Sequence, residues 1–96
     1  MEELNIHNEM SEAEKAAFEG GEALGEQLGT DSERAWYSGN KLEGTPLMEE
    51  HKGKKVEATK NMDEKEKAAF EKGYLKGMKV GKDREAEWQS KQEDKR

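Results

Sequence analysis

The sequence predicts an all-α protein built from two tandem helical hairpins that pack against each other as a pseudo-dimer. Three observations predict this fold: a duplicated sequence, glycines spaced four apart, and a capping motif at the start of each copy. The segment 14–19 returns as 66–71, and each copy continues with three glycines and a tryptophan, always at an offset of 52 residues. An offset that never slips indicates an internal duplication. The matching glycines are Gly21, Gly25 and Gly29 in the first copy and Gly73, Gly77 and Gly81 in the second.

The composition leaves this chain little material for a hydrophobic core. Of its 96 residues, 30% are hydrophobic and 42% are charged, and the net charge is -6. Such a chain buries little apolar surface, so we expect marginal stability or support from a partner. The absence of cysteine excludes disulfides and thiolate metal sites, and it is typical of the reducing cytoplasm, where we expect this protein. No apolar run approaches the roughly 20 residues that cross a bilayer, which predicts no membrane partner.

The chain is predicted to consist of four segments. They are a flexible N-terminal arm, an acidic hairpin repeat, a linker and a basic hairpin repeat, with bounds 1–10, 11–43, 44–62 and 63–96. In the linker, Thr45 followed by Pro46 suits a helix cap and a first helical position. A short turn of helix over 46–52 is therefore compatible with an otherwise basic, solvated connector.

Each repeat begins with a capping motif. Ser11 is followed three positions later by Glu14, which is the pattern of a capping box at a helix N-terminus. Asp63 and Glu66 occupy the equivalent positions of the second repeat. Two helix starts at matching places predict that the duplication is structural.

The last glycine of each row is predicted to end the first helix of a hairpin. Gly29 and Gly81 can adopt the left-handed conformation that terminates a helix, and Asp31 and Asp83 can cap the next one. The second helices are expected near residues 32–43 and 84–94.

The glycines spaced four apart are predicted to form contact surfaces. An interior glycine weakens a helix by about 1 kcal/mol relative to alanine, so close packing has to offset that loss. A row at this spacing leaves a shallow groove that a second backbone or an aromatic ring can enter. We expect Trp36 and Trp88 to fold back onto these grooves. The predicted packing residues are Ala17, Phe18, Gly21, Gly25, Leu28, Trp36, Ala69, Phe70, Gly73, Gly77, Val80 and Trp88.

Charge is divided unequally between the two halves. Residues 1–50 carry 13 acidic and 3 basic residues, a net of -10, whereas residues 51–96 carry 10 acidic and 14 basic residues, a net of +4. Opposite fields favour pairing of the repeats, within one chain or between the chains of a homodimer. The lysines of the second repeat either pair with glutamates of the first or follow a phosphate backbone, with an aromatic ring stacked on a base. The candidate partner-binding residues are Lys65, Lys72, Tyr74, Lys76, Met78, Lys79, Lys82 and Arg84, with the acidic Glu19, Glu22 and Glu26.

The pattern Ala-Phe-x-x-Gly-x-x-x-Gly-x-x-x-Gly, followed by a tryptophan, resembles the bacterial ribosome modulation factor family. The resemblance implies a small helical hairpin and binding to ribosomal RNA that silences translation. The residues that carry it are Ala69-Phe70, Gly73-Tyr74, Gly77, Gly81 and Trp88 in the second copy, and Ala17-Phe18, Gly21, Gly25, Gly29, Ala35-Trp36 and Gly39 in the first.

We therefore expect a small regulator that binds a macromolecule and is not an enzyme. His7 and His51 are the only histidines, and neither lies at ligand spacing from another candidate, so we expect exposed side chains, no metal and no cofactor. The first hypothesis is a modulator that binds RNA or the ribosome through the second repeat. The alternative is a phage-type inhibitor that binds a host protein, with its acidic first repeat imitating nucleic acid. A third possibility is a purely structural pseudo-dimer that associates with itself.

Overall fold

The computed structural model describes residues 10–94, with side chains up to residue 92. Their secondary structure consists of three α-helices, and no strand occurs among them, so the prediction of an all-α fold is confirmed. The predicted flexible arm lies outside the described residues except for Met10, which packs against the hydrophobic core. The helices are α1 (Glu12–Tyr37), α2 (Pro46–Thr59) and α3 (Glu64–Asp94).

The two long helices begin at the predicted capping residues. The Ser11 hydroxyl accepts a hydrogen bond from the Glu14 amide at 3.1 Å, and the Ser11 amide donates to the Glu14 carboxylate at 3.4 Å. Asp63 and Glu66 form the same reciprocal pair at 2.8 and 3.2 Å. Each pair satisfies amides that the first helical turn leaves without a partner, so local sequence sets where α1 and α3 start.

Helices α1 and α3 run parallel, and their glycine rows form the contact between them. Gly21 faces the backbone of Phe70, Gly25 that of Tyr74, and Gly29 that of Met78. In the reciprocal direction, Gly73 faces Phe18, Gly77 faces Glu22, and Gly81 faces Glu26. A Cβ atom at any of these six glycines would overlap a carbonyl oxygen of the other helix. Every contact has an equivalent 52 positions along the chain, so the two repeats are related by a pseudo-twofold axis along the helix pair.

The prediction that each repeat folds as a hairpin is not confirmed, because each repeat forms one continuous helix. Helix α1 passes through Gly29 and Asp31 without a turn, and α3 passes through Gly81 and Asp83. The glycines stay helical since their missing side chains are needed for contact with the opposite backbone. Helix α1 ends instead near Gly39, which has a φ of 80° and follows the C-cap. That conformation favours glycine.

The predicted solvated linker contains a complete helix that extends beyond residue 52. The Thr45 hydroxyl caps α2 by accepting from the Met48 amide at 3.2 Å, and Pro46 is the first helical residue. The helix then continues to Thr59. Its most deeply buried residue is a histidine, His51, and its own Leu47 and Val56 are exposed. Helix α2 therefore attaches to the long helices with little apolar packing of its own.

The hydrophobic core is small, as the composition predicts. Its buried hydrophobic side chains are Ala17, Leu28, Leu42, Ala69 and Phe70. Ala17, Ala69 and Phe70 form one cluster. The half-buried side chains that pack against this cluster are Met10, Phe18, Leu24, Met62 and Tyr74.

Three residues that were predicted to pack in the interior are exposed in the structure, so these predictions were wrong. Trp36 is 67% exposed, Trp88 is 54% exposed and Val80 is 39% exposed. The glycine contact explains the exposed tryptophans, because backbones that touch leave no gap in which an indole ring could lie. The Trp36 ring instead lies edge-on to the ring of Tyr37, with centroids 5.0 Å apart.

Candidate macromolecule-binding surface

The pair formed by α1 and α3 has two sides with different properties. On the covered side, Leu28 and Met78 share a cleft of about 440 Å³ with Leu42 and Met48, which belong to the connector and α2. We call the opposite side the open side because Lys76 and Arg84 remain exposed there. The open side is defined by Glu22, Glu26, Lys76 and Arg84.

Ion pairs cross the open side from the acidic repeat to the basic repeat. The Lys76 ammonium lies 3.4 Å from the Glu22 carboxylate and 5.7 Å from the centroid of the Phe18 ring. Arg84 pairs with Glu26. The basic stripe consists of the candidate basic residues of α3, which are Lys65, Lys72, Lys76, Lys79, Lys82 and Arg84. The first repeat therefore neutralises part of this stripe within the molecule, as the pairing interpretation of the sequence predicts. Solvent reaches all four charged groups, so each pair stabilises the fold by only about 0.2–1 kcal/mol.

The remaining lysines of the stripe point outward. Lys65, Lys72 and Lys79 are exposed, and none forms an ion pair with a described residue. They are spaced seven residues apart, which is two helical turns, so they form a line with steps of roughly 10 Å along α3. Glu19 is also exposed and has no ion-pair partner among residues 10–92. Lys82 lies on the covered side, where it lines the cleft of Leu28 and Met78 together with Trp36.

Two predicted partner-binding residues lie away from the lysine stripe. Tyr74 is half-buried on the covered side. Its ring stacks on the ring of Phe70, with centroids 6.1 Å apart, and the Lys55 ammonium lies 4.4 Å from the centroid of the Tyr74 ring. Burial raises the pKa of Tyr74, and Glu71 adds to this effect while Lys55 opposes it. Met78 lines the covered cleft. Tyr74, a candidate partner-binding residue, therefore lies on the opposite side of the helix pair from Lys76 and Arg84, and Lys55 of α2 lies over its ring.

Polar contacts anchor α2 to the covered side. His51, expected to be exposed, is only 3% exposed, and its Nε2 lies 2.9 Å from a carboxylate oxygen of Asp31. Its Nδ1 is buried without a hydrogen-bond partner in the described part of the chain. The Lys55 ammonium lies 2.6 Å from the Glu71 carboxylate. Asp31 was expected to cap a helix, so its contact with the connector was not predicted.

A second charged cluster lies where α1 and α3 approach their C-termini. Arg34 donates two hydrogen bonds, of 3.3 and 3.2 Å, to the carboxylate of Glu85, which is only 6% exposed. Gln89 donates a third at 2.9 Å. The bond from Arg34 is the main cause that lowers the pKa of Glu85, with burial opposing it, and Glu85 in turn raises the pKa of Arg34. Neither Arg34 nor Glu85 was predicted, because each is one charge among many in the sequence.

The described residues contain no metal-binding cluster and no helix suited to a bilayer. No group of three or more histidine, aspartate or glutamate side chains within residues 10–92 has the arrangement that would hold a metal ion. None of the three helices has a stretch that is both long and apolar enough to span a membrane, as far as the described chain extends.

Comparison with known proteins gives no relative. No protein-family model, no curated protein and no solved structure matches this chain. The resemblance to the ribosome modulation factor family therefore rests on the residues that suggested it, and the function has to be argued from the surface itself.

Proposed function

We propose that this chain is a small, non-enzymatic regulator that binds RNA, with the ribosome as its target. The observation that carries the proposal is the line formed by Lys65, Lys72 and Lys79, which are exposed and unpaired among the described residues. A row of free ammonium groups neutralises phosphates and releases their counterions, which drives binding to nucleic acid. The resemblance in the glycine and tryptophan pattern supports the ribosome as the particular target.

The internal ion pairs also support this assignment. Glu22 and Glu26 of α1 pair with Lys76 and Arg84 of α3, so these two carboxylates are already engaged. The outer lysines of α3 can then face a polyanion without competition from these two carboxylates. A net charge of -6 opposes approach of RNA to the rest of the molecule, so we expect weak binding that is confined to this line.

The proposal is tested with a double charge reversal, Lys72→Glu with Lys79→Glu, and a matched control. The control is Lys52→Glu with Lys54→Glu, which changes the net charge equally but alters exposed lysines of α2. Binding to purified ribosomes and to a labelled single-stranded RNA is measured over a series of salt concentrations.

We expect the α3 reversal to weaken binding by about tenfold at low salt and to reduce the slope of log K against log salt by about 1 for each lysine. The α2 control should lower affinity much less. Equal losses in both double variants, or none in either, would show that the line on α3 is not the binding surface. Circular dichroism of each variant checks that the helices are intact.

The alternative function, a phage-type inhibitor that binds a host protein, has one observation in its favour. Glu19 is exposed and unpaired in the described chain, and it lies in a half that carries a net charge of -10. Imitation of nucleic acid needs several free carboxylates, however, and Glu22 and Glu26 are paired within the molecule. A pulldown that recovers one protein in equal amounts with and without nuclease would support this alternative over RNA binding.

A further inference from the structure

Two arginines and an exposed tryptophan meet at one end of the helix pair. Arg34 of α1 and Arg84 of α3 line a cleft of about 340 Å³ together with Trp88. Arginine is scarce in this chain, which otherwise uses lysine for positive charge, and the only other arginine is Arg96 at the C-terminus. The convergence of Arg34 and Arg84 beside Trp88 therefore differs in chemistry from the rest of the basic surface.

The side chains of this cleft are held but remain accessible. Arg34 binds the buried carboxylate of Glu85 through Nε and one terminal nitrogen, and its side chain is still 60% exposed. Arg84 is fixed by Glu26 and is 64% exposed. A guanidinium has five N–H donors, so one carboxylate leaves others free for a further acceptor. The arginines are thus oriented in advance of any ligand.

The duplication supplies an internal comparison for this cleft. Trp36 is the equivalent of Trp88, but Ser32 stands where the second repeat has Arg84, and Ala86 stands where the first has Arg34. The Trp36 ring borders the cleft of Leu28, Leu42 and Met78 instead. Two tryptophans at equivalent positions therefore have different neighbours, and only one has guanidinium groups beside it.

We infer that Trp88 stacks on an unpaired base of single-stranded RNA while Arg34 and Arg84 bind the adjacent phosphates. This site rests on the proposed RNA binding and specifies unpaired RNA as the partner. An indole ring stacks on any base, and guanidinium groups form paired hydrogen bonds with phosphate oxygens. A base inside a duplex is already stacked on both faces and cannot cover the ring.

The position of the cleft fits a strand that also contacts the lysines. Lys72, Lys76, Arg84 and Trp88 belong to one series spaced in multiples of four, so they follow a ridge of α3. From Lys72 to Trp88 this ridge rises about 24 Å along the axis of α3 and turns about 160° around it. A single strand that contacts both the lysines and the tryptophan therefore has to follow the ridge around α3.

The test uses the two tryptophans as reporters in the full chain. Trp36→Phe leaves Trp88 as the only indole, and Trp88→Phe leaves Trp36. Both rings are more than half exposed, so neither change removes a core side chain. Each variant is titrated with a non-self-complementary RNA octamer, an RNA duplex and AMP, and fluorescence and affinity are measured. Arg84→Gln is a further variant that keeps the ring and removes one guanidinium.

The octamer should quench the fluorescence of the Trp36→Phe variant and leave that of the Trp88→Phe variant unchanged. Affinity for the octamer should fall roughly tenfold in Trp88→Ala, which removes the aromatic ring that phenylalanine would keep, and remain unchanged in Trp36→Ala. Arg84→Gln should also lower the affinity for the octamer. The duplex should quench neither variant, and AMP should bind far more weakly than the octamer.

Several results would overturn the inference. Octamer binding that quenches neither reporter variant and survives Trp88→Ala would contradict the stacking site and leave the lysine line as the RNA contact. AMP binding as tight as the octamer would indicate a site for free nucleotides. Equal quenching of both tryptophans would show that the arginines confer no selectivity. Failure of the wild-type protein to bind any RNA would overturn the proposed function together with this site.

Discussion

The covered and open sides of the helix pair derive from one duplicated sequence, yet they have opposite chemistry. Tyr74 and Met78 lie on the covered side, and their equivalents in the first repeat are Glu22 and Glu26 on the open side. The shared glycine rows place both sets at equivalent points of the same backbone contact. The glycines therefore determine the pairing of the helices, while the flanking residues determine which side contacts α2 and which side is exposed to solvent.

Attachment of α2 shows how the symmetry is broken with few residues. Asp31 binds the buried His51, whereas its equivalent, Asp83, is exposed. Helix α2 contributes little apolar surface, since Leu47 and Val56 are exposed. Its position therefore depends on directional polar contacts on one side of the pair. The opposite side lacks these contacts, and Lys76 and Arg84 remain exposed there.

The largest expected effect comes from filling the glycine contact on which both sides depend. Gly25→Ala would drive a Cβ into the carbonyl of Tyr74, and Gly77→Ala into that of Glu22. Overpacking of this kind costs about 3 kcal/mol or more, which exceeds the gain of about 1 kcal/mol in helix propensity. Urea unfolding followed by circular dichroism should show a similar loss in the free energy of unfolding for each variant, because the two sites are pseudo-equivalent.

Gly20→Ala is the matched control for the glycine contact. A Cβ at Gly20 meets no atom within 4 Å, although Gly20 is adjacent to Gly21, where a Cβ would strike the backbone of Phe70. This substitution should stabilise the protein by up to about 1 kcal/mol. A stabilising Gly25→Ala or Gly77→Ala, with unchanged shape, would contradict the backbone contact that both repeats share.

Local signals in the sequence predicted the helix starts and the glycine contact, but not the extent of the helices. Ser11 and Asp63 act through hydrogen bonds to residues three positions away, which a sequence displays directly. Gly29 followed by Asp31 has the appearance of a helix end and a new cap. Only the opposing backbone of Met78 shows that Gly29 is a contact residue inside a helix.

The candidate site was predicted in part for the same reason. The spacing of Lys65, Lys72 and Lys79 indicates an exposed line on one helix, and the structure leaves all three exposed. The cluster of Arg34 and Glu85 depends on the register between two helices, 51 residues apart in sequence. No periodic pattern within one helix encodes that register, so these residues could not be selected from the sequence.

An intermediate effect is expected from the contact that fixes α2 on the covered side. Asp31→Ala removes the partner of His51 and leaves a buried ring with both nitrogens unpaired. The loss should be about 1–3 kcal/mol in the free energy of unfolding. Asp83→Ala changes the equivalent but exposed residue and should shift stability by less than about 0.5 kcal/mol. Equal effects of the two substitutions, measured by urea unfolding, would mean that α2 does not depend on this contact.

The smallest expected effect concerns the pH dependence of the pair formed by Arg34 and Glu85. Because the folded pKa of Glu85 is lowered from 4.5, its ionised form stabilises the fold above that pH. This contribution is lost as the pH falls through the lower folded value. Solvent around Arg34 screens the pair, so Glu85→Gln should cost about 0.5–1 kcal/mol at pH 7.

Thermal unfolding at a series of pH values measures this difference. The difference in stability between wild type and Glu85→Gln should narrow as the pH falls below 4.5 and vanish once the pH is below the lowered folded pKa of Glu85, since a protonated glutamate resembles glutamine. Glu33→Gln is the matched control, because Glu33 is the equivalent of Glu85 in the first repeat. The equivalent of Arg34 in the second repeat is Ala86, so no arginine lies opposite Glu33. A gap that stays constant with pH, or one that is as large for Glu33→Gln, would show that the two repeats do not differ electrostatically at this end of the helix pair.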